Sequence, residues 1–306
     1  MRAKSGLAPW PELYSRAWKV CVELWPLWVA RFLYLVVNYG TFLICLLLSC
    51  WPLVSEVMKD FQQGGQLSPS DYQTLMLEFM NRFKDFGFLG AVIGVFLLYM
   101  VWWTVISAWF NGGLYARLTA WVERDEVFSW SAFTREGFYH LTPMILLQAL
   151  LGIALLLIVG SLLILGLFGG IALTFIHLPM IVKILFVIPL IVAGLAFLVF
   201  LLGYQAFCLV AQACLMECGN ASAAFQKGLE RCRANRWRAV WVLVIFILLV
   251  SVGLILMTFF LKALGMIPVV GILFTLASFV LRFFFYMTTD VFFPALAVVV
   301  NDEGKR

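Results

Sequence analysis

Residues 141–168 read LTPMILLQALLGIALLLIVGSLLILGLF, a run of 28 positions without a charged side chain. A helix needs roughly 20 apolar residues, at about 1.5 Å of rise each, to cross the hydrocarbon core of a bilayer. Five further stretches meet this requirement: Phe32–Val54, Phe86–Phe110, Ile184–Met216, Trp237–Leu261 and Val269–Val300. The sequence therefore predicts an all-α membrane bundle of six transmembrane helices.

The basic residues fall unevenly on the two sides of this bundle. If the gaps alternate between inside and outside, starting with the N-terminus inside, the inside segments hold fifteen lysines and arginines and the outside segments hold five. The five outside residues are Lys59, Arg82, Lys84, Lys183 and Lys262, and Arg282 is left inside an apolar stretch. An excess of Lys and Arg marks the cytoplasmic side of a membrane. We therefore expect both termini in the cytoplasm.

Composition supports the same class of protein. The chain is 64% hydrophobic and 12% charged, whereas typical soluble domains are about 25% charged. The net charge of +5 is divided among three basic islands beside the predicted membrane helices. This pattern favours contact with anionic lipid head groups and disfavours a nucleic-acid partner.

A short amphipathic segment precedes the first, third and fifth predicted transmembrane helices. The three segments are Trp10–Lys19, Ser129–Gly137 and Asn220–Gly228, and the last two share an Ala-Phe pair that is followed by a nearby glycine. Each even-numbered helix carries a tyrosine after apolar neighbours: Tyr99, Tyr204 and Tyr286. We therefore expect three parallel repeats, residues 10–124, 129–219 and 220–304, each an interfacial helix followed by a membrane-crossing hairpin.

The interfacial segments carry aromatic and basic side chains that suit the boundary between head groups and hydrocarbon. Two interpretations stay open: these side chains anchor the bundle, or they contact specific lipids or a docking partner. The candidate contact residues are Arg16, Trp18, Trp130, Phe133, Arg135, Phe225, Lys227 and Arg231.

The predicted outside connections differ in kind. Residues 55–85 form the only sizeable outside loop, in which Ser68-Pro69 is typical of a capped helix start and predicts an amphipathic helix through Phe83. The connections Gly169–Val182 and Lys262–Gly271 are nearly uncharged and contain glycine and proline. We expect them to lie flat at the outer interface or to enter the membrane as short re-entrant segments.

Recognisable catalytic patterns are missing from the sequence. It contains no His-Glu-x-x-His, P-loop or Gly-x-Ser-x-Gly motif. The two histidines, His140 and His177, fall at opposite faces of the predicted bundle, and Cys214 with Cys218 supplies only half of a closed metal site. We expect neither an enzyme nor a bound cofactor or metal.

Two ionisable residues lie in the last predicted helix. An ionised side chain at bilayer depth costs at least about 2.5 kcal/mol, so it usually faces a partner or a cavity. Arg282 and Asp290 are about 12 Å apart along a helix axis, so each is expected to find a partner elsewhere. The suggested partners are Asn38, Gln148, Gln205, Gln212 or a tyrosine. Arg282 and Asp290, together with Tyr204 and Tyr286, form a candidate polar site. Alternatively, Arg282 extends to the outer interface and Asp290 is held by structural hydrogen bonds.

Three motifs resemble a known group of proteins. These are Gly112-Gly113 followed by Arg117, the segment with Trp130 and Phe133, and Glu217–Trp237 with Ala224-Phe225 at its centre. In this layout the chain resembles poorly characterised prokaryotic six-helix membrane families, among them the membrane domain fused to some glycerophosphodiester phosphodiesterases. It departs from them at Val187–Leu190, where many relatives have Pro-Gly. The resemblance implies a polytopic architecture in a prokaryotic cytoplasmic membrane and carries over no catalytic residue.

The leading functional expectation is an accessory or scaffold component of a membrane complex, with lipid-contacting cytoplasmic helices. Its partners would be membrane lipids and either another membrane protein or a second copy of the chain. The alternative is a small transporter or channel for a lipid-like or hydrophobic substrate, with a pocket near Arg282 and Asp290.

Overall fold

The structure is a computed structural model that describes residues 9–62, 77, 86–175, 180–234, 238–265 and 271–303. The regular elements of these residues are helices, which confirms the all-α prediction for this part of the chain. In chain order they are α1 (Trp10–Glu23), α2 (Pro26–Gln62), α3 (Phe86–Arg124), α4 (Trp130–Tyr139), α5 (Leu141–Phe175), α6 (Met180–Cys218), α7 (Ala221–Ala234), α8 (Arg238–Gly265) and α9 (Gly271–Glu303).

Six of these helices are long and apolar enough to cross a membrane. The segments are Pro26–Ser49, Phe86–Arg124, Leu141–Gly160, Ala196–Cys218, Val240–Phe259 and Val280–Glu303. Many of their large apolar side chains are exposed, for example Phe96, Leu156 and Phe259. Water would penalise so much exposed apolar surface, whereas lipid would not. The six predicted spanning helices are confirmed in this sense, and they indicate an integral membrane protein.

The chain divides by its contacts into two compact units: Met1–Arg31 with Ala108–Arg306, and Phe32–Ser107. Within the second unit, the hydroxyl of Tyr99 donates to Asn38 Oδ1 at 3.4 Å, and its ring lies 5.3 Å from the ring of Phe42. The candidate site residues predicted from the sequence all lie in the first unit.

The second, fourth and sixth membrane helices, which are α3, α6 and α9, are longer than a bilayer requires. α3 and α6 have 39 residues each and α9 has 33, so at about 1.5 Å per residue they exceed a hydrocarbon core of roughly 30 Å. In the first unit their C-terminal segments, 108–122, 206–218 and 287–303, contain most of the buried core. We call these three segments, together with α1, α4 and α7, the packed end. Small residues such as Gly112, Ala211 and Ala295 allow the helices to approach closely there.

Several predicted loops are helical in the structure. α2 continues through Gln62, so the predicted loop at residues 55–85 begins as helix. The start predicted at Ser68-Pro69 for the amphipathic helix of this loop lies outside the described residues. α5 continues through Phe175 and α8 through Gly265. Where these two connections are described, their backbone is helical. A glycine costs a helix only about 1 kcal/mol, which apolar helix-forming neighbours can offset.

Candidate functional site

The three short helices dock through corresponding positions. The fourth residue of each is buried: Leu13 in α1, Phe133 in α4 and Ala224 in α7. The eighth residue is also buried and is always small: Ala17, Gly137 and Gly228. A Cβ added at Gly137 would lie 2.7 Å from the carbonyl oxygen of Trp109, and one at Gly228 would lie 3.2 Å from Cα of Ala211. These two helices therefore touch their neighbours backbone to backbone.

The seventh residue of each short helix forms an ion pair with a packed-end segment. Arg16 in α1 pairs with Asp302 at 2.9 Å and with Glu303 at 2.6 Å on α9. Glu136 in α4 pairs with Arg117 on α3 at 3.5 Å. Lys227 in α7 pairs with Glu217 on α6 at 2.7 Å. The seventh residue is basic in α1 and α7 but acidic in α4. Its position within the short helix is the same in all three.

The Ala-Phe match in the sequence is one residue out of this structural register. The residue that corresponds to Phe133 is Ala224, and Phe225 follows it. Phe133 is only 1% exposed, and its ring packs against those of Trp109 and Phe110. It is therefore part of the core and not an open contact surface. Phe225 is half-buried and packs edge-on against Phe207, with ring centroids 5.4 Å apart.

Glu217 lies at the centre of a largely buried polar network. It accepts hydrogen bonds from Arg231 Nη2 at 2.9 Å and from Asn301 Nδ2 at 2.6 Å, in addition to Lys227. Arg231 also donates to Asn301 Oδ1 at 2.5 Å, and the Cys214 thiol donates to that same oxygen at 3.3 Å. The hydrogen bond to Glu217 raises the pKa of Lys227. This network fastens α7 to the ends of α6 and α9.

Arg117 fixes the connection between α3 and α4. Its guanidinium is only 4% exposed and donates to Glu126 Oε2 at 2.7 Å, while Arg124 pairs with the other oxygen of Glu126 at 3.0 Å. The Arg117 hydrogen bond holds the pKa of Glu126 below its usual range. A buried guanidinium needs such carboxylate partners because its desolvation is otherwise costly.

The structure does not assemble the predicted polar site. Asp290 accepts hydrogen bonds from Arg31 of α2, with Nε at 3.0 Å and Nη2 as a second donor. Tyr204 donates to the carbonyl of Leu151. Arg282 is half-buried and Tyr286 is exposed. No hydrogen bond or ion pair joins any two of Arg282, Asp290, Tyr204 and Tyr286, all of which are described residues.

Sequence reasoning missed Arg31 because the residue directly precedes an apolar stretch and was counted with the cytoplasmic charges. Its guanidinium lies over the ring of Phe110, 5.4 Å from the centroid, and 17% of its side chain is exposed. The sequence did contain a signal for this partner. Asp290 lies ten residues before the end of its apolar stretch, so a partner at the same depth should lie just inside the start of a helix that runs in the opposite direction.

A cavity of about 430 Å³ lies between α5, α6, α7 and α8. Its walls include Ile158, Gly203, Tyr204, Phe207, Phe225 and Val244. Of the four residues predicted for the polar site, Tyr204 alone lines it. The cavity is therefore an apolar feature, separate from the Arg31–Asp290 pair. Within the described part of the chain, no three His, Cys, Asp or Glu side chains are grouped to hold a metal ion.

Comparisons with protein-family models, with curated proteins and with solved structures found no match. The class of protein is therefore defined by the fold itself: an all-helical integral membrane protein with a polar, ion-paired packed end.

Proposed function

We propose that the protein is a non-enzymatic accessory or scaffold component of a membrane complex. In this proposal both termini are cytoplasmic, so the packed end forms the cytoplasmic face. The observation that carries the proposal is the rigid mounting of the three short helices: each has a small buried residue and an ion pair at the same positions. A surface held this firmly suits docking, because little conformational freedom is lost on association.

The same positions support three parallel repeats, each a short helix and a hairpin. Each short helix forms its ion pair with the last turns of α3, α6 or α9, which are the second, fourth and sixth membrane helices. The pairs are α1 with α9, α4 with α3 and α7 with α6. Under this proposal α1 of the first repeat pairs with α9 of the third repeat.

The outer faces of α1 and α4 supply the chemistry for contact. Trp18 is 49% exposed and Trp130 is 47% exposed, and Arg135 is also exposed. Indole rings prefer the membrane interface, and arginine binds phosphate or carboxylate groups there. Lipid head groups and an acidic partner segment both fit this surface.

The direct experiment is to extract the protein with its native lipids and to identify stoichiometric companions by mass spectrometry. We expect a protein partner whose recovery falls in a Trp130→Ala/Arg135→Gln variant. The matched control is Trp103→Ala, which removes a comparably exposed indole from the membrane-spanning part of α3. A wild-type protein that carries no protein companion, including no second copy, would overturn the scaffold role.

The cavity favours a second candidate function, transport of a lipid-like or hydrophobic substrate. The polar groups predicted from the sequence do not support the transport function, because Asp290 forms an ion pair with Arg31. The test is movement of a labelled lipid between leaflets in reconstituted vesicles, compared with vesicles that lack the protein. Equal rates in both would eliminate transport of that lipid.

A further inference from the structure

The cavity between α5, α6, α7 and α8 opens toward the surface that a bilayer covers. Three of its lining residues, Val199, Phe200 and Trp241, are 44%, 41% and 49% exposed. Val199 and Phe200 belong to the apolar spanning segment of α6. The volume of about 430 Å³ is within the range of roughly 300–1,000 Å³ that is typical of ligand pockets.

The cavity wall is almost wholly apolar and suits a hydrocarbon chain. The hydroxyl of Tyr204 already donates to the carbonyl of Leu151. The remaining lining side chains are aliphatic or aromatic, apart from Gly203, which has none. Apart from the indole N–H of Trp241, the wall offers no free side-chain donor or acceptor, so a polar group placed deep in the cavity would lose its hydrogen bonds to water without replacing them. The occupant must therefore present an apolar chain.

An exposed positive charge lies about one helical turn from the cavity wall. Arg233 on α7 is exposed and follows the lining residue Leu229 by four positions, so the two lie on one helix face. Lys227 and Arg231 of the same helix are already bound to Glu217, whereas Arg233 has no hydrogen bond or ion pair to another described residue. The half-exposed indole of Trp241 also lines the opening, as is usual at a membrane interface.

We propose that this cavity binds one acyl chain of an anionic phospholipid from the surrounding leaflet, with the lipid phosphate at Arg233. The bilayer supplies this ligand at high local concentration, and the apolar cavity and the nearby positive charge match its two parts. The inference deepens the lipid-contacting part of the proposed function and rests on the packed end lying at the cytoplasmic face. The bound lipid would fill the space that the four helices leave open.

The chain offers a closely matched pair of variants. A Cβ at Gly203 would meet its nearest neighbour, Val240 Cγ1, at 3.9 Å, so Gly203→Leu places its side chain in the cavity without displacing backbone. Gly194 lies on the same helix, has nothing within 4 Å and does not line the cavity. Native mass spectrometry should find one phospholipid on the wild type and on Gly194→Leu, but about tenfold less on Gly203→Leu because several methylene contacts are lost.

The head group is tested with added phosphatidylglycerol and phosphatidylcholine. The wild type and the control Lys19→Gln, which removes an exposed charge from α1, should retain phosphatidylglycerol preferentially, and Arg233→Gln should lose that preference. An unchanged preference in Arg233→Gln would overturn the placement of the phosphate. Equal lipid retention by Gly203→Leu and Gly194→Leu would overturn the cavity as the acyl site.

A second measurement does not depend on folding of the variants. Phosphatidylglycerol with a diazirine at the end of one acyl chain is photoactivated on the wild type, and the labelled peptides are mapped. We expect labels on α6 and α8, near Phe207 and Val244. Labels spread evenly over all exposed helices, or a cavity filled by a hydrophobic peptide, would overturn the proposal. The scaffold role is judged separately by the protein companion, so a lipid-loaded chain without a partner would refute only that role.

Discussion

At the scale of single residues, Arg31 and Asp290 show how a charge is kept among apolar helices. Each side chain is costly there alone, and the pair is tolerated because two hydrogen bonds join them and the Phe110 ring lies beside the guanidinium. Asp290 is therefore positioned to hold the first turns of α2, up to Arg31, against α9. The open polar site predicted around Asp290 does not fit this arrangement.

We expect Asp290→Asn to lower the unfolding temperature in detergent by removing the charged acceptor of Arg31, at a cost of about 1–3 kcal/mol. Arg31→Gln should have a similar effect, and the Arg31→Gln/Asp290→Asn double variant should be less destabilised than the sum of the two. Thermal unfolding of all four proteins measures the coupling. Strictly additive losses would show that the pair contributes no coupling.

His140, at the junction of α4 and α5, gives the packed end a pH response. Partial burial lowers the pKa of His140 below its ordinary value of 6.5. The unfolded chain therefore takes up this proton before the folded chain does, so the associated stability is present above about pH 6.5 and is lost as the pH falls through the folded pKa. We expect the unfolding temperature of the wild type to fall more steeply below pH 6.5 than that of His140→Gln. Parallel pH profiles would contradict this role.

At the scale of secondary-structure elements, the docking of α4 depends on a missing side chain. A Cβ at Gly137 would lie 2.7 Å from Trp109 O and 2.9 Å from its indole, so either α4 or α3 would have to move. Glycine is otherwise unfavourable inside a helix. Its place in α4 is explained by this contact.

Gly137→Ala should therefore destabilise the protein by about 1–3 kcal/mol, despite the better helix propensity of alanine. The matched control is Gly152→Ala in α5, where nothing lies within 4 Å of the added Cβ. That substitution should be neutral or slightly stabilising. The unfolding temperatures of the two variants show whether Gly137→Ala is the more destabilising. Equal temperatures would mean that α4 is loosely docked.

At the scale of the whole molecule, the packed end should protect its buried thiols. Cys21 and Cys232 occupy the twelfth position of α1 and α7, and both are fully buried. Burial raises the pKa of Cys21 to about 12 and that of Cys232 to about 11. Since the thiolate is the reactive form, neither thiol should react near neutral pH in the folded protein.

Maleimide labelling followed by peptide mass spectrometry checks this expectation. Both cysteines should remain unmodified in mild detergent and should react together once the packed end unfolds. The half-buried Cys218 serves as an internal comparison. Modification of Cys232 alone under native conditions would show that α7 detaches independently of α1.

Local patterns were enough to predict part of this architecture. Apolar length predicted the six helices that could cross a membrane, and the segments Trp10–Lys19, Ser129–Gly137 and Asn220–Gly228 lie at the short helices α1, α4 and α7. The Ala-Phe match does not align the buried positions of α4 and α7, because it compares letters, whereas burial follows helix position. Phe133 and Ala224 share a place in the structure although their side chains differ greatly in size.

The amino-acid sequence alone is enough to show that the chain is helical and belongs in a membrane, because hydrophobicity and helix periodicity are local properties of each stretch. The tertiary structure decided which charges meet: Arg31 with Asp290, Arg16 with Asp302, and Glu217 with both Lys227 and Arg231. It also decided where the helices leave a cavity. These contacts join residues up to 286 positions apart, and the spacing of residues along one helix does not encode which face of a distant helix will lie against it.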